Sequence, residues 1–332
     1  TFEGHNGTNG IPMPSRFASR EEISRLIKAM AIDGRGIFML TKSNDTEIKD
    51  IIQLLGSVER PTMVAALLDN PMKKSWAYNV LEDITKANNK GYEVWGQVSC
   101  RPLTMEFTMN EPYMLEGLLA WKDYMIQNTI EDRKNVLKNQ KFRKAVLNEI
   151  LDTTKNKLFV GNWEKIKLIN TKRSSISKHI GMNLLEIANF YNKEPFDWLL
   201  DNAIDGGFED LFAAELLNSD NKQVQKLLKH QYASIALSDA GAHTSLLCDA
   251  GYAIELLSKW TNKLKVFSLE EAVYNLTGKQ ADICRIPKRG KLLPGYFADM
   301  LLFDPDEVGT SKSFRENDLP GGSSRLKVKP LG

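Results

Sequence analysis

Cysteine is scarce in this 332-residue chain: Cys100, Cys248 and Cys284 are the only three, and no two form a CxxC pair. Neither a disulfide framework nor a cysteine-held zinc site follows from them, and a reducing cytosol is the compartment they fit. Histidine is little richer, with His5, His179, His230 and His243, none of them in a His-x-His pair. No apolar run approaches the roughly 18 residues of a membrane span, so no membrane partner is expected. Charge of one sign is not in excess: 44 basic residues face 42 acidic ones. That balance lacks the basic footprint of a nucleic-acid binder. The P-loop, the G-x-S-x-G elbow and HExxH are absent, and Gly4, Gly7 and Gly10 are not spaced as a dinucleotide fingerprint. What is left is a composition ordinary for a globular enzyme, 42% apolar and 26% charged.

Periodicity organises the chain. Ser19 and Glu22 make a capping box, after which Ile23, Leu26, Ile27 and Met30 recur at helical spacing until Gly34. Gly36–Leu40 is a short apolar run that predicts a buried strand, and Pro61–Leu67 and Tyr92–Val98 read the same way. Helical patterns at 45–55 and 77–90 alternate with them, which predicts βα units around a parallel sheet. From about 111 to 230 the chain becomes mostly helical and heavily charged, read here as an insertion whose lysine runs are solvated faces. Ser234–Leu237 is one more buried strand, Ser268 and Glu271 form a second capping box, and Gly295–Asp304 reads as a strand after a Pro-Gly turn.

Asp239 stands where the strand at 234–237 gives way to the small-residue loop Ala240-Gly241-Ala242, with His243 following. At the C-terminal end of a barrel strand such a carboxylate can hold a metal or take a proton from water; by pattern alone it can equally cap a helix. His243 alone has a structural reading as well.

The stretch Ser238–His243 resembles the loop after the last barrel strand in the D-aminoacylase branch of the amidohydrolase superfamily. The likeness runs on through Leu269–Val273, Arg289–Leu292, Pro294–Pro305 and Asp318–Gly322. Upstream, His5, Pro14–Ser19 and Gln97–Pro102 are similar to segments of the same branch. The resemblance implies part of a TIM-type (β/α)8 barrel over residues 1–290, carrying the helical insertion, with residues 291–332 returning strands to a small β-sandwich. It implies a metal-dependent amide hydrolase acting on N-acyl amino acids, of D configuration, or on related amides through an activated water. Asp239 is then catalytic and a ligand to a divalent metal, zinc above others, while His5 and His243 face the substrate. Arg16 and Arg101 are candidates for binding a substrate carboxylate, since guanidinium pairs with carboxylate in a two-point fork, and Ser15 could donate to substrate. Structural ion pairs remain open for the arginines, as does turn-capping for Ser15.

The chain also departs from that branch. The first metal motif, His-x-His on strand 1, is absent, and the strand ends Thr41-Lys42 and Leu68-Asp69 carry no histidine. A preceding segment or a complementary chain is therefore expected to complete the barrel, which these residues should not close alone. A homo-oligomer is compatible with this, and a non-catalytic binding or assembly subunit is the alternative function.

Overall fold

Serine at a helix start offers an oxygen to an otherwise unpaired amide, and Ser19 Oγ accepts from Glu22 N–H at 3.1 Å in the computed structural model. The structure describes residues 14–42, 46–154, 157–238 and 250–332. Asp239, His5, His243 and Cys248 lie outside these.

Two compact units are present. The first comprises the described residues up to Pro102 and from Leu217 onward. Its strands β1 (Phe38–Thr41), β2 (Thr62–Leu67) and β3 (Val94–Val98) alternate with helices α1 (Arg20–Ala31), α2 (Ile48–Leu55) and α3 (Trp76–Asn88). In the second, Leu103–Leu216, run β4 (Leu103–Phe107), β5 (Ile166–Asn170) and β6 (Leu211–Leu217), and β7 (Ala233–Ile235) then returns to the first.

The first unit is an open parallel sheet in the order β1-β2-β3-β7. Alternate side chains of these strands bury Leu40, Val64, Val94, Val98, Ala233 and Ile235 against Ile51, Leu81 and Ile84 of the helices. Gly96 is what lets α3 lie so close. A Cβ there would come within 2.5 Å of Leu81 Cδ2 and 2.7 Å of Leu67 Cδ1. Among the described residues the parallel sheet has four strands and does not close into a barrel.

The second unit holds the three-stranded sheet β4-β6-β5, with β5 and β6 antiparallel. These strands stand in or beside the stretch expected to be helical. Its core stacks Phe107 on Phe212, with ring centroids 5.5 Å apart, and buries Trp121 and Tyr124 completely.

The tail differs from expectation. Short antiparallel pairs form between β8 (Gly309–Thr310) and β11 (Pro330–Leu331), and between β9 (Phe314–Glu316) and β10 (Arg325–Lys327). The expected strand at Gly295–Asp304 carries no ladder, because no described strand runs beside it. Met300, Leu301 and Leu302 are 73%, 82% and 97% exposed.

Candidate active site at the carboxyl ends of the parallel strands

Parallel sheets present their loops for chemistry at the carboxyl ends of the strands. Here four such ends lie side by side. Those of β3 and β7 are locked in register, with Val98 opposite Ile235, and Ala236 N–H donates to Val98 O at 3.3 Å. The segment leading to Asp239 therefore leaves the sheet beside the segment leading to Arg101.

Arg101 follows β3 through Ser99 and Cys100. Its backbone N–H donates to Ser99 Oγ at 3.1 Å, and its side chain is only 19% exposed. The guanidinium Nε lies 3.2 Å from Glu255 Oε2, and Lys259 Nζ lies 3.4 Å from the other oxygen of the same carboxylate. Two cations thus meet one carboxylate in a half-buried place, where guanidinium and ammonium are both at hand for an anionic group. Gly251 gives the guanidinium room, since a Cβ there would come within 2.9 Å of Nη1. Cys100 is inert by comparison. It is buried, its Sγ donates to Tyr252 O at 3.0 Å, and burial followed by the nearby Glu255 holds the thiol far above its ordinary range.

At the neighbouring ends, Lys42 lies over the Trp76 ring at 5.4 Å and Asp69 lines a small cleft with Lys73, Trp76 and Gln223. Burial, then the Asp220 charge, raises the Asp69 carboxyl above its usual range, against the pull of Lys74. Ser15 and Arg16 sit in the single 3-10 turn Pro14–Phe17, where Ser15 is exposed and its carbonyl accepts from Ala18 N–H. Among the described residues no three His, Cys, Asp or Glu side chains gather so as to hold a metal ion. Sequence reasoning passed over Glu255 and Asn218 at this rim. The only local signal for Asn218 was its place between the strand Leu211–Leu217 and the helix cap Asp220.

The opposite rim is different in kind. An open groove of about 510 Å³ is lined there by Lys28, Gly34, Val58, Arg60 and Arg285. Arg60 is committed to structure, with Nε and Nη2 both donating to Gly36 O at 3.0 and 2.7 Å.

The fold is similar to that of solved D-aminoacylases. A crystal structure of D-aminoacylase, described as defining a novel subset of amidohydrolases, superposes with a TM-score of 0.50 at 17% identity over 89% of this chain and 52% of that one. A second D-aminoacylase structure, from work on the functional role of its binuclear metal centre, matches with the same values. In sequence, the D-aminoacylase of Alcaligenes xylosoxydans xylosoxydans is 39% identical over 59 residues, which are 18% of this chain and 12% of that protein. No family model matches. The likeness is thus to the D-aminoacylase branch, as the motifs indicated, and the chain spans about half the length of the solved relatives it matches. No described helix is long and apolar enough to cross a membrane.

Proposed function

We propose that this chain is the C-terminal part of an amide hydrolase that deacylates N-acyl amino acids, of D configuration, at the carboxyl rim of its parallel sheet. The observation that carries the proposal is the meeting of the β3 and β7 ends in an amidohydrolase-type fold, one leading to Arg101 and the other to Asp239. Arg101, with Lys259 behind it, receives the substrate carboxylate. Asp239 takes a proton from the attacking water and passes it to the departing amine, and His5, His243, Ser15 and Arg16 contribute to substrate binding.

The described residues do not by themselves fit a metal centre. A divalent cation, zinc in our reading, rests on the likeness to D-aminoacylase and on Asp239 as the one ligand its motif offers. Such a cation, when bound, supplies polarisation of the carbonyl and a more acidic water. Residues 1–290 are on this reading part of a (β/α)8 barrel with an insertion, and residues 291–332 return to a small β-sandwich. Its other strands come from a preceding segment or a complementary chain. The apolar run Met300–Leu302, without a neighbour in the described residues, supports that completion.

A second reading, a non-catalytic binding subunit, is favoured by Lys42 and Asp69 at strand ends where metal-binding histidines are absent. Metal analysis of the full-length protein, with hydrolysis assays over N-acyl-D- and N-acyl-L-amino acids, separates the two. Bound metal with turnover is expected. Absence of both would overturn the hydrolase reading in favour of the second.

A further inference from the structure

Asn218 is 2% exposed and lies outside every motif that the function absorbs. It follows Leu217 directly, where the chain re-enters the first unit, and its φ of 61° is left-handed, a conformation asparagine tolerates better than most residues. Its bonds run to two strand ends at once. Its own N–H donates to Asp69 O at 2.8 Å, and its Oδ1 accepts from Asp69 N–H at 3.1 Å. Its Nδ2 donates to Ser99 O and to Arg101 O, both at 2.8 Å.

An amide side chain has one acceptor oxygen and two donor hydrogens, and here the acceptor faces an amide N–H while both hydrogens face carbonyls. Aspartate would set a carboxylate oxygen against two carbonyl oxygens. Alanine would leave three backbone groups, the Ser99 carbonyl buried and the other two partly so, without this partner and would strain at positive φ. The match of this side chain to the two loops is complete.

We infer that Asn218 is a positioning residue, a staple that fixes the loops after β2 and β3 and thereby sets where the Arg101 guanidinium meets a substrate carboxylate. This rests on Arg101 having the role proposed above. Glu255 holds the far end of the Arg101 side chain, and Asn218 holds its backbone, so the head group is fixed from both sides. A shift of about 1 Å in such a clamp can cost on the order of 100-fold in rate.

The test uses the full-length protein, N-acetylleucine in the configuration the wild type prefers, and the matching N-acetylleucinamide, which lacks the carboxylate. Asn218→Gly keeps the left-handed backbone and removes the side chain. Its preference for carboxylate over carboxamide in kcat/KM should fall about tenfold, through KM, with the carboxamide rate within about twofold of wild type. Hydrogen exchange at the Asp69 amide should quicken about tenfold or more while Val64 and Val98 keep their protection. Asn218→Asp should do the same or worse, and Arg101→Met should abolish the preference.

If Arg101→Met abolishes it and Asn218→Gly leaves it intact, the staple is refuted and the role of Arg101 stands. Exchange that quickens evenly across the sheet makes Asn218 merely structural and also refutes the staple. An unchanged preference in Arg101→Met, or a wild type that neither hydrolyses nor binds either compound, overturns the Arg101 reading and the staple with it.

Discussion

The two units bury their charged groups on different terms. In the Leu103–Leu216 unit two clusters are matched: Arg143 donates to Asp197 at 2.9 Å and to Asp201 at 2.6 Å, and Lys193 adds a second cation to Asp201. Asp210, almost fully buried, accepts from Thr171, Arg173 and Asn202. At the carboxyl rim of the other unit, Arg101 and Lys259 divide one Glu255, and Asp69 is held above its usual carboxyl range by burial and a like charge. Closed networks of the first kind fix a fold. A half-buried carboxylate raised by burial at a strand end is instead a mark of a candidate site.

The largest effect should come from the rim. Asp239→Asn keeps shape and removes the basic oxygen, so amide hydrolysis should fall by about 10²–10⁴, the scale of lost acid–base catalysis, with the melting temperature little changed. Unchanged turnover would remove Asp239 from the mechanism. Arg143→Met should cost stability instead. It removes the Arg143 partner of Asp197 and leaves Asp201 with Lys193, for about 2–3 kcal/mol once their partial exposure is allowed for, read from urea unfolding. Its KM for the carboxylate substrate should match wild type; a large rise would erase the distinction between the units.

Two smaller effects concern pH. Lys279, near the Trp95 ring and largely withdrawn from water, has its ammonium lowered from 10.5 to about 8 by burial. The unfolded chain therefore binds the proton more tightly, and stability should climb as pH rises from about 8 to 10.5. Lys279→Met should flatten that climb and add about 1–2 kcal/mol at pH 7, seen in melting curves across that range. Asp69 is shifted the other way from the usual paired carboxylate. Its raised value means stability falls as pH climbs through the window above 3.8, where the unfolded chain ionises first. Asp69→Asn should gain stability at neutral pH and lose that slope, read from urea unfolding across pH. A loss of stability would show the carboxylate to be paired and the rim balanced.

The same division governs what the sequence reveals. β1, β2, β3 and β7 are short, buried on the helix side and rich in apolar residues, so composition and turn signals alone mark them. β6, Leu-Phe-Ala-Ala-Glu-Leu-Leu, is built of helix formers and becomes a strand through pairing with β5, its burial alternating residue by residue. Met300–Leu302 reads as a strand for the opposite reason: the pattern is present and the neighbour is missing. Arg101 is singled out by its motif, and its role is the one proposed above. Asn218 is not singled out, because its value lies in where three backbone groups of distant loops point, which no local period encodes.

The most direct measurement is a crystal structure of the full-length protein soaked with a slowly hydrolysed N-acyl-D-amino acid analogue. The ligand should lie at the carboxyl ends of β1, β2, β3 and β7, its carboxylate on Arg101 and its scissile amide beside Asp239. Density for it in the groove of Lys28, Arg60 and Arg285 at the opposite rim, with the Arg101 end empty, would contradict the placement of the site.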